Sequence, residues 1–336
     1  VKKPTELQVM GKPVYRRDSL EKVTGKAKYS GDIQFPGMLY AKILRPPAHG
    51  AKLKNLDVSG AEKMEGVVVI KEDDFVAVLH ENPDIADTAL TRIKAEFETP
   101  PSKIYNNTIF EHLVNSATES DIVSQDGNLE EGRQLSDQVI TKEYLDGYVA
   151  HAPIETHTAT ATMEGERIVI WASTQSPFGI RKEVAETLNV PEQNVHVKQI
   201  FIGGGFGGKS PGRQVVEAAR LTILTGKPVQ VAWVRREEFF YDTYRPAAVV
   251  KITSGMTNSG KVTLWDYKVY FAGSRGSQHF FDVANHKTVS LDSGSVEAHP
   301  FATGPWRAPG NNTNTFARES QIDIMASKAG IDPLEF

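Results

Sequence analysis

The chain has 336 residues, none of them cysteine, and 38 Lys and Arg against 42 Asp and Glu give a formal charge of −4. That balance leaves no basic footprint for nucleic acid, and without cysteine the chain can hold no disulfide, thiol nucleophile or Cys-ligated zinc or iron–sulfur cluster of its own. With 40% hydrophobic and 24% charged residues it is ordinary globular material for roughly two or three domains, and no run of about 18 apolar residues offers a membrane span.

An N-terminal arm, residues 1–21, carries Pro4 and Pro13. Lys2 and Lys3 lead into PTEL rather than an apolar stretch, so no intact secretory signal is read there, and the compartment, cytoplasmic or periplasmic, stays open. A mixed α/β unit follows over 22–98. In it MLYAKILR (38–45) and GVVVI (66–70) are strand-like, and PDIADTALTRIKAEFE (83–98) reads as an amphipathic helix. Residues 99–133, rich in Pro, Asn, Ser and Asp, predict an extended connector over the surface. From 134 to 336 the pattern alternates: a strand at RIVIWAS (167–173), a helix over 180–190, a strand over 195–202 and a helix over 213–226 that stops at Gly226. After Pro228 it turns to hairpins, AAVVKITSG and KVTLWDYKVYFAG around a Met-Thr-Asn-Ser-Gly turn, and RESQIDIMASKAG (318–330) closes as a helix. The predicted fold class is α+β.

The most distinctive stretch is GGGFGGKS, residues 203–210, five glycines in eight residues between a strand and a helix. Gly203, Gly208, Lys209 and Ser210 satisfy the phosphate-loop pattern, while Gly203, Gly205 and Gly208 satisfy the dinucleotide pattern. The context supports anion binding at a helix N-terminus without choosing the anion. Against an ATPase, the next strand, PVQVAWV, runs into Arg235-Arg236-Glu237-Glu238, basic before acidic. Against a dinucleotide site, the region about 20 residues on is the apolar LTILTGKPVQ, where an acidic residue is wanted. A bulky Phe206 at the apex also suits phosphate wrapping poorly.

Three segments in order, WASTQSP (171–177), GGGFGGK and PWRAPG (305–310), resemble the molybdenum-binding subunit of the xanthine dehydrogenase and aldehyde oxidase family. Residues 22–98 are similar to that family's α/β hammerhead domain, and DGYVAHAPIETHTATA (146–161) to the opening of its molybdopterin-binding region. YDTYRPAAVVKI, PWRAPG and IDPLEF are similar to the isoquinoline 1-oxidoreductase beta-subunit branch. The resemblance implies a hammerhead domain over 22–98, a connector over 99–133, and over 134–336 the first part of a molybdopterin-binding domain whose second part follows elsewhere. The activity implied is hydroxylation of an N-heteroaromatic compound or an aldehyde, with water as oxygen source. The cofactor would be molybdopterin in its cytosine dinucleotide form with molybdenum. Electrons would leave to a small [2Fe–2S] subunit, in keeping with the absence of cysteine.

By the same resemblance Gln175 contacts a ligand of the metal through its amide, Gly203, Gly204, Gly205, Phe206, Gly207 and Gly208 form the loop beside it, and Arg307 lies near it through its main chain. No side chain ligates molybdenum directly, and the family's catalytic glutamate belongs to the second half, so no catalytic residue is assigned within the chain. Apart from the resemblance, Gln175 reads as a helix cap, the glycines as a turn with positive φ, and Arg307 as a surface ion-pair partner. Pro309 stands where the family often has an aromatic, and Ser210 where xanthine-oxidising relatives have a glutamate, which points away from xanthine. Glu155 and Glu237-Glu238 are acidic groups without an assigned role. His151 and His157, six apart, fall on one side of a strand and read as a metal pair or as packed histidines; Arg245 reads as structural. Two alternatives remain beside the enzyme: a catalytically inactive half-subunit or scaffold, and a nucleotide-binding phosphate-loop protein. The 336 residues alone are predicted to be catalytically silent.

Overall fold

The computed structural model describes residues 2–102, 104–294 and 298–336. Its central element is a seven-stranded mixed sheet in the order Val195–Lys198, Arg167–Ala172, Thr158–Glu164, Val229–Ala232, Leu39–Ile43, Phe75–His80, Val68–Glu72. Leu39–Ile43 runs parallel to Val229–Ala232, with Leu39 opposite Val229. The stretch expected as a separate N-terminal domain therefore shares a sheet with the later region. One core joins them: Leu39, Ile43 and Leu79 pack with Ile168, Ile170, Val215, Leu221 and Val229. The helix Arg213–Thr225 lies on this sheet, and Gly226 ends it in the left-handed conformation at φ 64°.

A second, five-stranded sheet has the order Glu119–Asp126, His286–Asp292, Val262–Tyr270, Ala248–Met256, Gln138–Asp146. Its hairpin, Ala248–Met256 with Val262–Tyr270, is the one expected after Pro228, and the helix Asn311–Ala329 covers it. Trp265, Tyr267, Ile252, Met256 and Met325 make this second core. The two-residue pairing of Val149–Ala150 with Tyr244–Arg245 belongs to neither large sheet.

Three expectations are corrected. The helix expected over 83–98 ends at Thr91. Asn82 caps its start by accepting from Asp84 N–H at 2.8 Å, whereas Lys94–Glu98 is a strand paired with Lys52–Asp57. KAEFE alternates exposed and half-buried along its length, a period of two rather than 3.6. The expected connector over 99–133 holds a helix, Ile109–Ser116, whose Leu113 is fully buried, and the edge strand Glu119–Asp126. The strand expected over 195–202 stops at Lys198, because the chain beyond it turns to meet Glu155: Glu155 N–H donates to the Gly203 carbonyl at 3.2 Å.

Candidate cofactor-facing site

Sheet order decides which distant segments meet. Arg167–Ala172, Val195–Lys198 and Val229–Ala232 all end at the edge where Thr158–Glu164 begins, as the pairings Ala172↔Ala159 and Ala232↔Thr158 and the parallel Trp171↔Lys198 require. Gln175, the glycine loop, Glu238 and the stretch 151–157 are thus delivered to one rim, at the carboxyl ends of parallel strands where α/β sheets form ligand crevices. The segment 303–307 joins them from the other side: Gly304 N–H donates to the Tyr244 carbonyl at 2.8 Å and Arg307 N–H to the Phe206 carbonyl at 3.2 Å.

The loop is closely packed by the protein's own groups. A Cβ on Gly203 would come 2.5 Å from Glu155 Cβ, one on Gly205 2.4 Å from Gln175 Oε1, one on Gly207 1.7 Å from the Pro305 carbonyl oxygen, and one on Gly208 2.5 Å from Asp242 Oδ1. Four of the five glycines are therefore needed for close packing. Gly207 is also at φ 118°, a conformation that L side chains rarely adopt. Three non-glycine residues in the meeting segments stand at positive φ as well: Ala152 at 44°, Phe206 at 58° and Ala308 at 55°. Such backbone costs about 1–3 kcal/mol per residue, must be overdetermined by its surroundings, and gathers at ligand sites.

Beneath the loop lie six ionisable side chains. Lys209 is fully buried and donates to Glu155 Oε2 at 2.8 Å, and the same oxygen accepts from Gly203 N–H at 2.7 Å. His157 lies with Nδ1 3.0 Å from Glu238 Oε2 and Nε2 3.2 Å from the Gly208 carbonyl. His151 lies with Nδ1 2.9 Å from Asp242 Oδ2 and Nε2 2.8 Å from the Pro305 carbonyl. Burial pulls the Lys209 ammonium below its usual value, with Glu155 opposing that shift. Burial would raise the Glu238 carboxyl, but its hydrogen bonds and charge contact with His157 outweigh it and hold the group below the usual range. The metal pair considered for His151 and His157 is corrected: each ring is committed to its own carboxylate, and no cluster of three or more metal-ligating side chains occurs among the described residues. Lys209, sealed against Glu155, is also unavailable to a phosphate, which removes the feature on which a phosphate loop depends. The pairings His151–Asp242 and His157–Glu238 were not legible in the sequence. The only signal is two histidines and a glutamate set in the small, apolar HAPIETHTATA.

The outer face is different. Gln175 is exposed, and its Oε1 accepts from Gly207 N–H at 2.9 Å. Its amide nitrogen has no partner among the described residues. It does not cap the helix Pro177–Leu188, whose cap position is Ser176. The backbone N–H groups of Gly204, Gly205 and Phe206 likewise find no acceptor among the described residues; Phe206 is exposed, Gly204 half-buried and Gly205 buried. Phe206 is 39% exposed, and the Arg307 guanidinium stacks on its ring at 4.4 Å. The surface ion pair considered for Arg307 is absent among the described residues. Arg245 pairs with Asp146 and stacks on Trp306, in the structural role read for it. Beside these groups opens a cavity of about 240 Å³ bordered by Arg245, Thr303, Trp306 and Pro309.

A strand rim carrying a glycine turn with unpaired donors is the setting in which α/β sheets form ligand crevices. Residues 113–336 match the molybdopterin cofactor-binding domain, and residues 24–83 match the aldehyde oxidase and xanthine dehydrogenase a/b hammerhead domain. The chain belongs to the xanthine dehydrogenase and aldehyde oxidase family of molybdenum-binding subunits. It is 27% identical to the aldehyde oxidoreductase molybdenum-binding subunit of Escherichia coli (strain K12) over 98% of its own length and 50% of that protein's. To the nicotinate dehydrogenase large molybdopterin subunit of Eubacterium barkeri it is 26% identical, over 98% of its length and 88% of that protein's. The quinoline 2-oxidoreductase of Pseudomonas putida 86 shares its fold at a TM-score of 0.80, with 22% identity over 96% of this chain and 49% of that one. The aldehyde oxidoreductase of Desulfovibrio desulfuricans ATCC 27774 does so at 0.82, with 18% identity over 97% and 43%. The chain thus spans about half the length of three of these four relatives.

Proposed function

We propose that this chain supplies part of the molybdopterin site of a hydroxylase acting on an N-heteroaromatic compound or an aldehyde. The observation that carries the reading is a set of donors in and beside the glycine loop that have no acceptor among the described residues: the Gln175 amide and the N–H groups of Gly204, Gly205 and Phe206. Electron-rich oxygen ligands and the pterin's phosphate are the partners such donors suit. When bound, the cofactor would accept the electron pair released as a substrate C–H and water become C–OH and two protons. The chain's own residues bind, orient and exclude water. Gln175, held by Gly207 N–H through its oxygen, presents its NH₂ in a fixed direction. Phe206, backed by the stacked Arg307, walls the site against solvent.

No base is drawn from the acidic groups nearest the loop. Glu155 is engaged by Lys209 and Gly203, Glu238 by His157, Asp242 by His151, and Glu237 by Arg45 and Val234 N–H. A glutamate from elsewhere in the assembly fits the family reaction better, and the chain by itself should be silent. The cytosine dinucleotide form of the cofactor and a [2Fe–2S] partner subunit belong to the same reading, as does a preference for less polar substrates than xanthine, given Ser210. Dye reduction by the complete assembly with quinoline-type heterocycles and aromatic aldehydes, together with release of CMP on acid hydrolysis, tests it. Turnover with neither class and no CMP would overturn it, and substrate-dependent reduction by the isolated chain would overturn the silence expected of it.

A further inference from the structure

His151 occupies a position that a neutral imidazole cannot satisfy. Its side chain is fully buried, and both ring nitrogens face acceptors: the Asp242 carboxylate at 2.9 Å and the Pro305 carbonyl at 2.8 Å. A neutral ring has one N–H, so one nitrogen lone pair would be held against an oxygen in a sealed site. A buried pair left unmade in that way is more costly than the same pair is worth when made. Asp242 Oδ1 has no partner of its own, so the imidazolium is also the chief charge balancing this carboxylate.

The ring ties together three pieces of chain: the stretch before the Thr158–Glu164 strand, the end of the helix Arg235–Tyr241, and the 303–307 segment. Two of these hold strained residues close by, Ala152 next to the histidine and Ala308 after Arg307, and the loop they meet holds a third, Phe206. The Pro305 carbonyl lies against Gly207, itself at φ 118°. Apart from the ring, this segment is held to the glycine loop through Arg307, whose N–H donates to the Phe206 carbonyl at 3.2 Å and whose guanidinium stacks on the Phe206 ring.

We propose that His151, as an imidazolium, is a positioning residue that clamps the 305–307 segment onto the glycine loop and so fixes Phe206 and Arg307 on the outer face. Burial would lower its affinity for the proton, but Asp242 and the Pro305 carbonyl outweigh burial and leave it above the usual histidine range. The titratable groups around it are Asp242 on the helix end and, across the loop, Lys209 with Glu155 and His157 with Glu238. Lys209 feels Asp242 as well. The sign follows: a histidine whose folded value is raised contributes fully below its unfolded value, and the contribution is lost as pH rises through the folded one. The clamp therefore opens on the alkaline side of about 6.5. The clamp itself stands on packing and protonation. Only its effect on turnover rests on the proposed function.

The test is amide hydrogen exchange by mass spectrometry on the complete assembly, read over peptides covering 203–209 and 303–310. Rates are corrected for their intrinsic pH dependence and followed from pH 6 to 10. Wild type should keep both peptides protected at the acid end and lose protection together, by about tenfold or more, through one alkaline transition. His151→Gln, which keeps a donor and cannot titrate, should show no transition. Asp242→Asn, which removes the counter-charge, should move the transition to lower pH by about one unit or more, and serves if the glutamine variant does not fold. Flat protection in wild type, the same transition in His151→Gln, or an unmoved one in Asp242→Asn would overturn the proposal. The exchange readout needs no turnover, so an assembly without molybdenum, which would overturn the proposed function, leaves this result standing. In an active assembly, turnover should fall with the same midpoint.

Discussion

The two faces of the glycine loop are built from the same eight residues and behave oppositely. Below, the close approaches are made by the protein itself: Glu155, Pro305 and Asp242 lie where side chains on Gly203, Gly207 and Gly208 would have to be. Lys209, His151 and His157 each lie there against a carboxylate, and all of these groups but the partly exposed Glu155 are buried. Above, donors stand without acceptors and an aromatic ring stands partly in solvent. The difference teaches that a glycine-rich loop can owe its glycines to what supports it and its binding capacity to what those glycines leave uncovered.

Substitutions on the underside should damage the fold, and those on the outer face should damage function while leaving the fold alone. The largest effect is expected of Lys209→Met. Removing the fully buried ammonium leaves the partly exposed Glu155 without its counter-ion, a loss of about 3–4 kcal/mol in unfolding free energy. Loss of nucleotide binding with unchanged stability would instead revive the phosphate-loop reading. Gly207→Ala places a Cβ against the Pro305 carbonyl at a backbone angle suited to glycine. Overpacking and strain together should lower stability by about 3 kcal/mol, measured by denaturant unfolding. Across the loop, Gln175→Ala should leave the melting temperature within a degree or two of wild type, since the residue is exposed. Turnover of the assembly should fall by about 10–100-fold at full molybdenum content, as for other groups that orient a metal's ligands. Unchanged turnover would remove Gln175 from the site. Arg307→Ala should be the mildest: losing its stacking on Phe206 is worth about 0.5–1 kcal/mol at an exposed position, and increased exchange or mobility confined to Phe206 is the signature to seek.

Gln175, Phe206 and Arg307 stand out in the sequence through the resemblance of short, ordered segments, and the structure sets Gln175 on Gly207 and Arg307 on Phe206. Gln175 and the loop approach because strand ends meet at one rim, and Arg307 because the 303–307 segment is hydrogen-bonded to Tyr244 and Phe206. The underside was illegible for a physical reason. His151 and Asp242 are 91 residues apart, and His157 and Glu238 are 81 apart, and nothing local to either histidine names its partner. They meet because Val229–Ala232 inserts between Thr158–Glu164 and Leu39–Ile43, a pairing order that apolar periodicity does not encode. The same insertion is why the first stretch of the chain could be read as a domain by itself, although it shares a sheet with the rest. Lys94–Glu98 shows a smaller version of the problem: a short alternating segment behind a helix is absorbed into it when only the apolar positions are followed.

The central claim is that the outer face of this loop carries a molybdenum-loaded pterin. Its most direct test is the molybdenum and pterin content of the assembly purified from a host that makes the cofactor, by elemental mass spectrometry and fluorescence of the oxidised pterin. About one molybdenum and one pterin per chain is the predicted result. A folded assembly containing neither would contradict it.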